Sequence, residues 1–293
     1  MEDSEFLVRP DPDDDRLFRV VDGVDQDGRR IEAPIINERP LTLYLNGRRI
    51  VTAVTIGDYP EYLAVGYLMN QAMLRPEDTL VSVEHDPEAR AVRVVIDADR
   101  DLDAMMSKRT HTSGCALGTV YGDILERFAD VPLDTQARFH TRWLYALSKK
   151  INTAPSLYLT TGAIHGCVLC EEDRPLVFME DVGRHNAVDK IAGYMRLHGI
   201  SPRGKSFYTT GRLTSEMVMK CVQMEIPVLV SRSGFTAWGV ELAREAGLTL
   251  IGRAKGKRFL VLAGEDRLVW DADPAAADEE PARARRKGSR SDD

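Results

Sequence analysis

The chain has 293 residues, 43% of them hydrophobic and 29% charged, with a formal net charge of −7. That is enough chain to bury a sizeable core; no run of apolar residues is long enough for a membrane-spanning helix, and the negative balance argues against broad nucleic-acid binding. The amino terminus, MEDSEFLVRPDPDDD, has neither the basic nor the apolar region of a secretion signal, so a cytoplasmic protein is expected.

Residues 1–16 and 272–293 are charged and poor in large apolar side chains, and both are expected to be disordered tails. A smaller, mostly β subdomain is expected over 17–105. Within it, LYLNGRRIVTAV places Asn46 and Gly47 between two alternating apolar runs, a hairpin signal because both turn residues tolerate positive φ. DYPEYLAVGYLMNQAM reads as a helix with Asp58 as N-cap and Pro60 in its first turn, and LVSVEHD and AVRVVID read as strands. A mobile loop is expected over 106–118, then a helical bridge over 119–153 made of TVYGDILERFAD and TRWLYALSKKIN.

From 154 to 271 the pattern changes. AIHGCVLCEEDRPLVFMED reads as a strand hairpin, and the helices HNAVDKIAGYMRLHG, LTSEMVMKCVQME and TAWGVELAREAG alternate with the strands SFYTTG, IPVLVS, LTLIGRA and RFLVLAG. Strands alternating with helices of this length predict an α/β domain with a substantially parallel sheet between layers of helices. Ligands of such sheets gather at the carboxyl ends of strands and the amino ends of helices.

Those strand ends carry chemistry. MEDVGRHNAVDK sets Glu180, Asp181, Arg184, His185, Asn186 and Asp189 around a strand-to-helix junction at Gly183, where helix N–H groups and Arg184 suit an anion. A capped surface helix with a charged first turn fits the same residues. TTGRLTSEMV adds Arg212, Thr214, Ser215 and Glu216, SRSGFTA adds Ser231, Arg232 and Ser233, and RAKGKR places four cations, Arg253, Lys255, Lys257 and Arg258, around Gly256. Each is weak alone, since hydroxyls at helix starts are usually caps; together they point to an anion or polyphosphate site.

The four cysteines, Cys115, Cys167, Cys170 and Cys221, are expected to be reduced in a cytoplasm. HGCVLC suggests zinc through His165, Cys167 and Cys170, but in a strand His165 and Cys167 share a face while Cys170 points the other way. Buried strand cysteines are the better reading, no metal site is expected, and Cys221 is expected in the core. Cys115 differs: it lies in TSGCALG, between glycines, with His111, Thr112 and Ser113 just before it. Lys108, Arg109 or a helix amino terminus would favour its thiolate, making it a nucleophile; a small residue packed at a turn is the alternative.

These segments together make the chain similar to a known family. Over about Leu17 to Asp271, through NERPLTLYLNG, TGAIHGCVL, EDVGRHNAVDK, TTGRLTSEMV and VELAREAGLTLIGRAKGKRF, the sequence resembles the formate dehydrogenase accessory sulfurtransferases, FdhD. The resemblance implies a cytidine deaminase-like, three-layer α/β/α carboxyl-terminal domain; deamination itself is not expected, because the zinc signature lacks its glutamate. It implies a sulfur carrier with Cys115 as persulfide bearer, loaded by a cysteine desulfurase and delivering sulfur to the bis-molybdopterin guanine dinucleotide form of the molybdenum cofactor, bound as cargo, before that cofactor enters formate dehydrogenase. The family's cofactor-contacting stretch falls on Arg253, Ala254, Lys255, Gly256, Lys257 and Arg258, and Arg184, His185 and Arg212 are expected to join it. No permanently bound cofactor and no membrane or nucleic-acid partner is implied, and a homodimer is. Many relatives have a second loop cysteine where this chain has Gly118, and Cys167 and Cys170 receive no role. The alternative function is a chaperone that binds the molybdenum cofactor or a guanine nucleotide without sulfur chemistry.

Overall fold

The computed structural model describes residues 6–107, 109–111, 119–121, 124 and 128–273. The amino-terminal half begins with a hairpin, β1 (Phe18–Val24) and β2 (Arg30–Ile36), followed by β3 (Arg39–Leu45) and β4 (Arg48–Thr55). The β3–β4 turn holds Asn46 at φ 46° and Gly47 at φ 78°, the conformation the pair predicts. After helix α1 (Pro60–Asn70), β5 (Leu80–Asp86) and β6 (Ala91–Ile96) complete a four-stranded sheet in the order β4-β3-β6-β5.

Two local expectations need correction. The residue capping α1 is Tyr59, in a left-handed conformation (φ 47°), not Asp58, whose carboxylate is drawn to Lys190 instead. TVYGDILERFAD does not read as one helix either. After α2 (Leu102–Ser107), Thr119–Tyr121 forms strand β8, paired antiparallel with β7 (Arg109–His111), and Phe128–Asp130 is a 3-10 turn. The β-branched Thr119 and Val120 suit a strand.

The carboxyl-terminal half starts with β9 (Phe139–His140), α3 (Thr141–Thr153) and the short α4 (Leu157–Thr161). The main sheet and its helices follow, with β10 (His165–Glu171), β11 (Arg174–Asp181), α5 (Arg184–Leu197), β12 (Lys205–Thr209), α6 (Ser215–Gln223), β13 (Val228–Ser231), α7 (Ala237–Glu245), β14 (Thr249–Lys255) and β15 (Arg258–Ala263), while β16 (Leu268–Val269) pairs parallel with β9 outside it. Its six strands run in the order β11-β10-β12-β13-β14-β15. β12, β13 and β14 are parallel, while β10 is antiparallel to both its neighbours and β15 to β14.

Alternation along the strands divides the core. Cys167, Leu169, Val177, Phe207 and Leu229 face α5 and α6 in a core that continues through α1 to the small sheet. Val168, Cys170, Phe178, Tyr208 and Val230 face the other way, onto Leu144, Leu147 and Ile151 of α3. Helices therefore cover both faces of the main sheet. The outer edge of β11 is covered as well: Leu7 N–H donates to Leu176 O at 2.8 Å and Phe178 N–H to Val8 O at 2.9 Å. Residues 6–8, within a stretch excluded from the fold on composition, thus lie along the sheet, with Phe6 and Val8 packed against its cores and Leu7 exposed. Among the described residues no helix is long and apolar enough to cross a membrane.

The two halves meet where α1 crosses α5. A Cβ on Gly66 would stand 1.7 Å from Asp189 O, and one on Gly193 would stand 1.9 Å from Tyr62 O, so each helix offers a glycine to the other's backbone. Gly193→Ala is expected to destabilise the protein by about 2–3 kcal/mol in urea unfolding, because forcing these helices apart outweighs the roughly 1 kcal/mol that alanine gains in helix propensity. Equal or greater stability would mean that the crossing is not close in solution.

Candidate functional site

The carboxyl ends of β11, β12, β13 and β14 and the start of β10 lie along one edge of the main sheet. On the side covered by α3 and α4 this edge opens into a cleft of about 840 Å3, lined by Asn152, Tyr158, His165, Thr210, Arg232 and Lys255 among others. Turn chemistry shapes it. Thr210 Oγ1 accepts from Gly166 N–H at 3.0 Å and lies 3.4 Å from His165 Nδ1. Ser231 Oγ donates to Gly211 O at 2.6 Å and accepts from Ser233 N–H at 2.9 Å, which holds the β13–α7 turn. Arg232 is aimed by Asn152 Oδ1, 3.1 Å from Nη1.

The basic turn between β14 and β15 stands beside this cleft. Arg253 (φ 53°) and Gly256 (φ 52°) adopt left-handed conformations, and Arg253 N–H donates to Ser233 O at 2.7 Å, tying the turn to the β13 end. Arg253, Lys255, Lys257 and Arg258 are exposed, whereas Ala254 is buried. Arg232 and Lys255 line the cleft, and Arg253, Lys257 and Arg258 are exposed on the adjoining turn, a local concentration of positive charge on a chain of net charge −7.

The expected phosphate ligands divide. Arg212 is exposed after β12, but Arg184 and His185 are buried in the seam between sheet and helices. The Arg184 side chain lies against Gly211, where a Cβ would come within 2.7 Å of its Cδ. His185 Nε2 is 3.2 Å from Glu216 Oε2, yet burial, reinforced by Lys220 and Arg184, pushes the imidazole down to about 2, so the ring is neutral at pH 7. His165 is held below its ordinary range first by burial, then by Arg184 and Arg212. It presents a neutral imidazole to the cleft.

The acids of EDVGRHNAVDK are buried and engaged within the protein, although Glu180 also lines the cleft. Glu180 accepts from Ser156 Oγ at 2.6 Å and Leu157 N–H at 2.7 Å, fixing the start of α4. Asp181 lies 2.6 Å from Lys190 Nζ and accepts from Asn186 Nδ2 at 2.9 Å and from the Thr55 hydroxyl. Lys190, fully buried, also bonds Asp58 and donates to Glu180 O at 2.9 Å. Desolvation opposes its charge, but Asp181 and Asp58 overcome that and hold it above the usual lysine range. Asp189 takes Lys220 Nζ at 2.7 and 2.8 Å and Asn70 Nδ2 at 2.7 Å. Thr55, Asp58 and Asn70 come from the amino-terminal half, so the segment latches the two halves together. Sequence reasoning missed these partners; the available signal was Lys220 itself, a lysine in the apolar stretch MVMKCVQM.

Cys115 lies outside the described residues, as do Lys108, Thr112, Ser113 and Gly118. The segment that carries Cys115 connects β7, with Arg109 and His111, to β8. Either side of this hairpin, Met105 and Met106 pack against, and Ile124 and Phe128 lie within, the core on the α5 and α6 side of the sheet, opposite the cleft's face. Cys167 and Cys170 belong to cores on opposite faces and cannot close on one tetrahedral centre.

Comparison with known proteins gives a consistent result. The sequence model of the FdhD/NarQ family matches residues 36–269. A sulfur carrier protein FdhD of Wolinella succinogenes is 30% identical over 241 residues, 81% of this chain and 83% of the relative. One from Bacillus subtilis is 28% identical over 240 residues, covering 82% and 92%, and one from Methanothermobacter thermautotrophicus is 27% identical over 256 residues, covering 86% and 99%. The crystal structure of a candidate formate dehydrogenase accessory protein from Desulfotalea psychrophila superposes with a TM-score of 0.71 at 26% identity, over 86% of this chain and 98% of that one.

Proposed function

This chain belongs to the FdhD/NarQ family, and from that premise we propose that it is a cytoplasmic sulfur carrier serving the maturation of formate dehydrogenase. The observation that carries the reading is the family match over residues 36–269, which spans the four-stranded and six-stranded sheets and the basic edge of the cleft. In this reading the Cys115 thiolate attacks the outer sulfur of a cysteine desulfurase persulfide. A new S–S bond forms on Cys115, the desulfurase cysteine leaves as its thiolate, and no electrons are gained or lost. Discharging that sulfur as sulfide takes two electrons. With glycine at 118 they come from a thiol outside the loop, which attacks the inner sulfur of the Cys115 persulfide, expels hydrosulfide and remains as a disulfide with Cys115.

The acceptor is the bis-molybdopterin guanine dinucleotide form of the molybdenum cofactor, held as cargo. Arg253, Lys255, Lys257, Arg258 and Arg232 meet its phosphates, Ala254 and Gly256 supply turn backbone, and exposed Arg212 extends the basic edge. Arg184 and His185 support the strand ends from behind. The layered carboxyl-terminal half would then follow a cytidine deaminase-like plan turned to cargo binding.

Binding of a guanine nucleotide diphosphate, measured by calorimetry, tests the cargo half of the reading. Losing two charge-assisted phosphate contacts in Arg232→Glu with Lys255→Glu is expected to weaken binding about 10- to 100-fold and to flatten its salt dependence. Unchanged affinity would remove the cleft from the proposal.

A further inference from the structure

A second cavity, of about 370 Å3, lies at the end of the main sheet away from the cleft, and no residue lines both. The start of β12, the β10–β11 turn and residues 137–139 enclose it. Its volume is at the small end for ligand pockets. One wall is aromatic and held in place. Trp143, half-buried, meets Phe139 edge-on at 6.0 Å and His140 at 4.3 Å between ring centres, and Asp271 fixes His140 through Nδ1 at 2.6 Å. A wall fixed before binding loses little freedom when a ligand arrives.

The charges around this wall divide into those already paired and those left over. Glu171 and Lys205 pair at 2.6 Å and neutralise each other. Arg138, Arg174 and Glu172 are exposed, line the cavity and form no ion pair among the described residues. Arg138 is steadied by backbone alone, its Nη1 donating to Ala137 O at 2.9 Å. The β10–β11 turn holds Glu172 in a left-handed conformation (φ 53°), where glycine is the usual residue. Backbone strain of this kind clusters at ligand clamps. Two guanidiniums, one carboxylate and an apolar wall complement a small molecule that carries a carboxylate, an ammonium and an apolar group. We propose that this cavity binds a free α-amino acid with an apolar side chain, its carboxylate at Arg138 and Arg174, its ammonium at Glu172 and its side chain on Trp143 and Phe139. A bare anion would be repelled by Glu172, and an uncharged molecule would leave all three charges unmatched.

The site stands or falls whatever becomes of sulfur uptake and cargo binding. L-leucine added to the full chain is expected to bind in calorimetry with a dissociation constant of about 0.1 mM. Binding should change the tryptophan fluorescence, and Trp143→Phe should abolish that change although Trp238 and Trp270 remain. N-acetyl-L-leucine, which lacks the ammonium, and L-leucine amide, which lacks the carboxylate, are each expected to bind about tenfold more weakly. Glu172→Gln is expected to weaken L-leucine about tenfold and leave N-acetyl-L-leucine unchanged; Arg174→Gln should weaken L-leucine and leave the amide unchanged. A merely structural defect would weaken parent and derivative alike. Both substituted residues are exposed, and thermal unfolding by circular dichroism checks that each variant is folded. A guanine nucleotide diphosphate should not compete, since cleft and cavity share no lining residue. No binding of L-leucine at about 10 mM overturns the proposal. So do derivatives that bind as tightly as L-leucine, variants that weaken parent and derivative equally, or competition by the nucleotide.

Discussion

Cys115→Ala is expected to take up no sulfur: incubated with a cysteine desulfurase and cysteine, the wild-type chain gains one sulfur atom in its intact mass, and the variant gains none. The experiment is clean because the other three cysteines are withdrawn from chemistry. Cys167, Cys170 and Cys221 are buried, and burial pushes the Cys167 thiol up to about 12 and the other two well above the usual range. A thiol that does not ionise near neutrality, and that no partner can reach, neither accepts nor donates a persulfide. Formate dehydrogenase maturation should fall by several orders of magnitude with the same substitution, as when a covalent nucleophile is removed. Sulfur retained by Cys115→Ala would sink the assignment of that residue. Maturation that survives without sulfur uptake would favour a cofactor-binding chaperone instead.

Lys190→Ala is expected to lower the free energy of unfolding by about 3–5 kcal/mol, the usual cost of removing one partner from a buried ionic group. Asp181 would keep Asn186 and Thr55 but lose Lys190 Nζ at 2.6 Å, and Asp58 would lose the partner that opposes its desolvation. Asp58 is already held above the ordinary carboxylate range by burial, so neutralising it costs little once the lysine is gone. Lys190→Met with Asp58→Asn should therefore recover part of the loss in urea unfolding. Because Asp58 and Thr55 belong to the amino-terminal half, the single variant should also loosen α1 against α5, seen as faster amide exchange along α1. A loss below about 1 kcal/mol would show that this latch does not hold the halves together.

Patterns that depend on near neighbours were legible in the sequence. Asn46 and Gly47 predicted a hairpin because positive φ is a property of those residues, and the alternation of β10 separated Cys167 from Cys170 because a strand has period two. The basic turn at Arg253 to Arg258 was legible because four cations in six residues leave little else to read. EDVGRHNAVDK was more difficult. Its mixture of acids and bases suits either a ligand or a buried network, and local sequence does not say which groups meet water. Asp58 shows the same limit: as a good capping residue before Pro60 it had a local use, but Lys190, 132 residues away, took it.

By itself the sequence determined the strand and helix periodicity, the carboxyl-terminal α/β pattern and the three strand ends that bear arginine. These are short-range consequences of side-chain shape and backbone conformation, and the family signature travels with them. Only the tertiary structure decided which charges face the cleft and which are buried, that Arg184 and His185 are buried while Arg232 and Lys255 line the cleft, and that residues 7–8 cover the outer edge of β11. Burial and pairing depend on what the rest of the chain brings alongside. The energy of a charge is set by its distance to other charges and to water, neither of which is written in its neighbours along the chain.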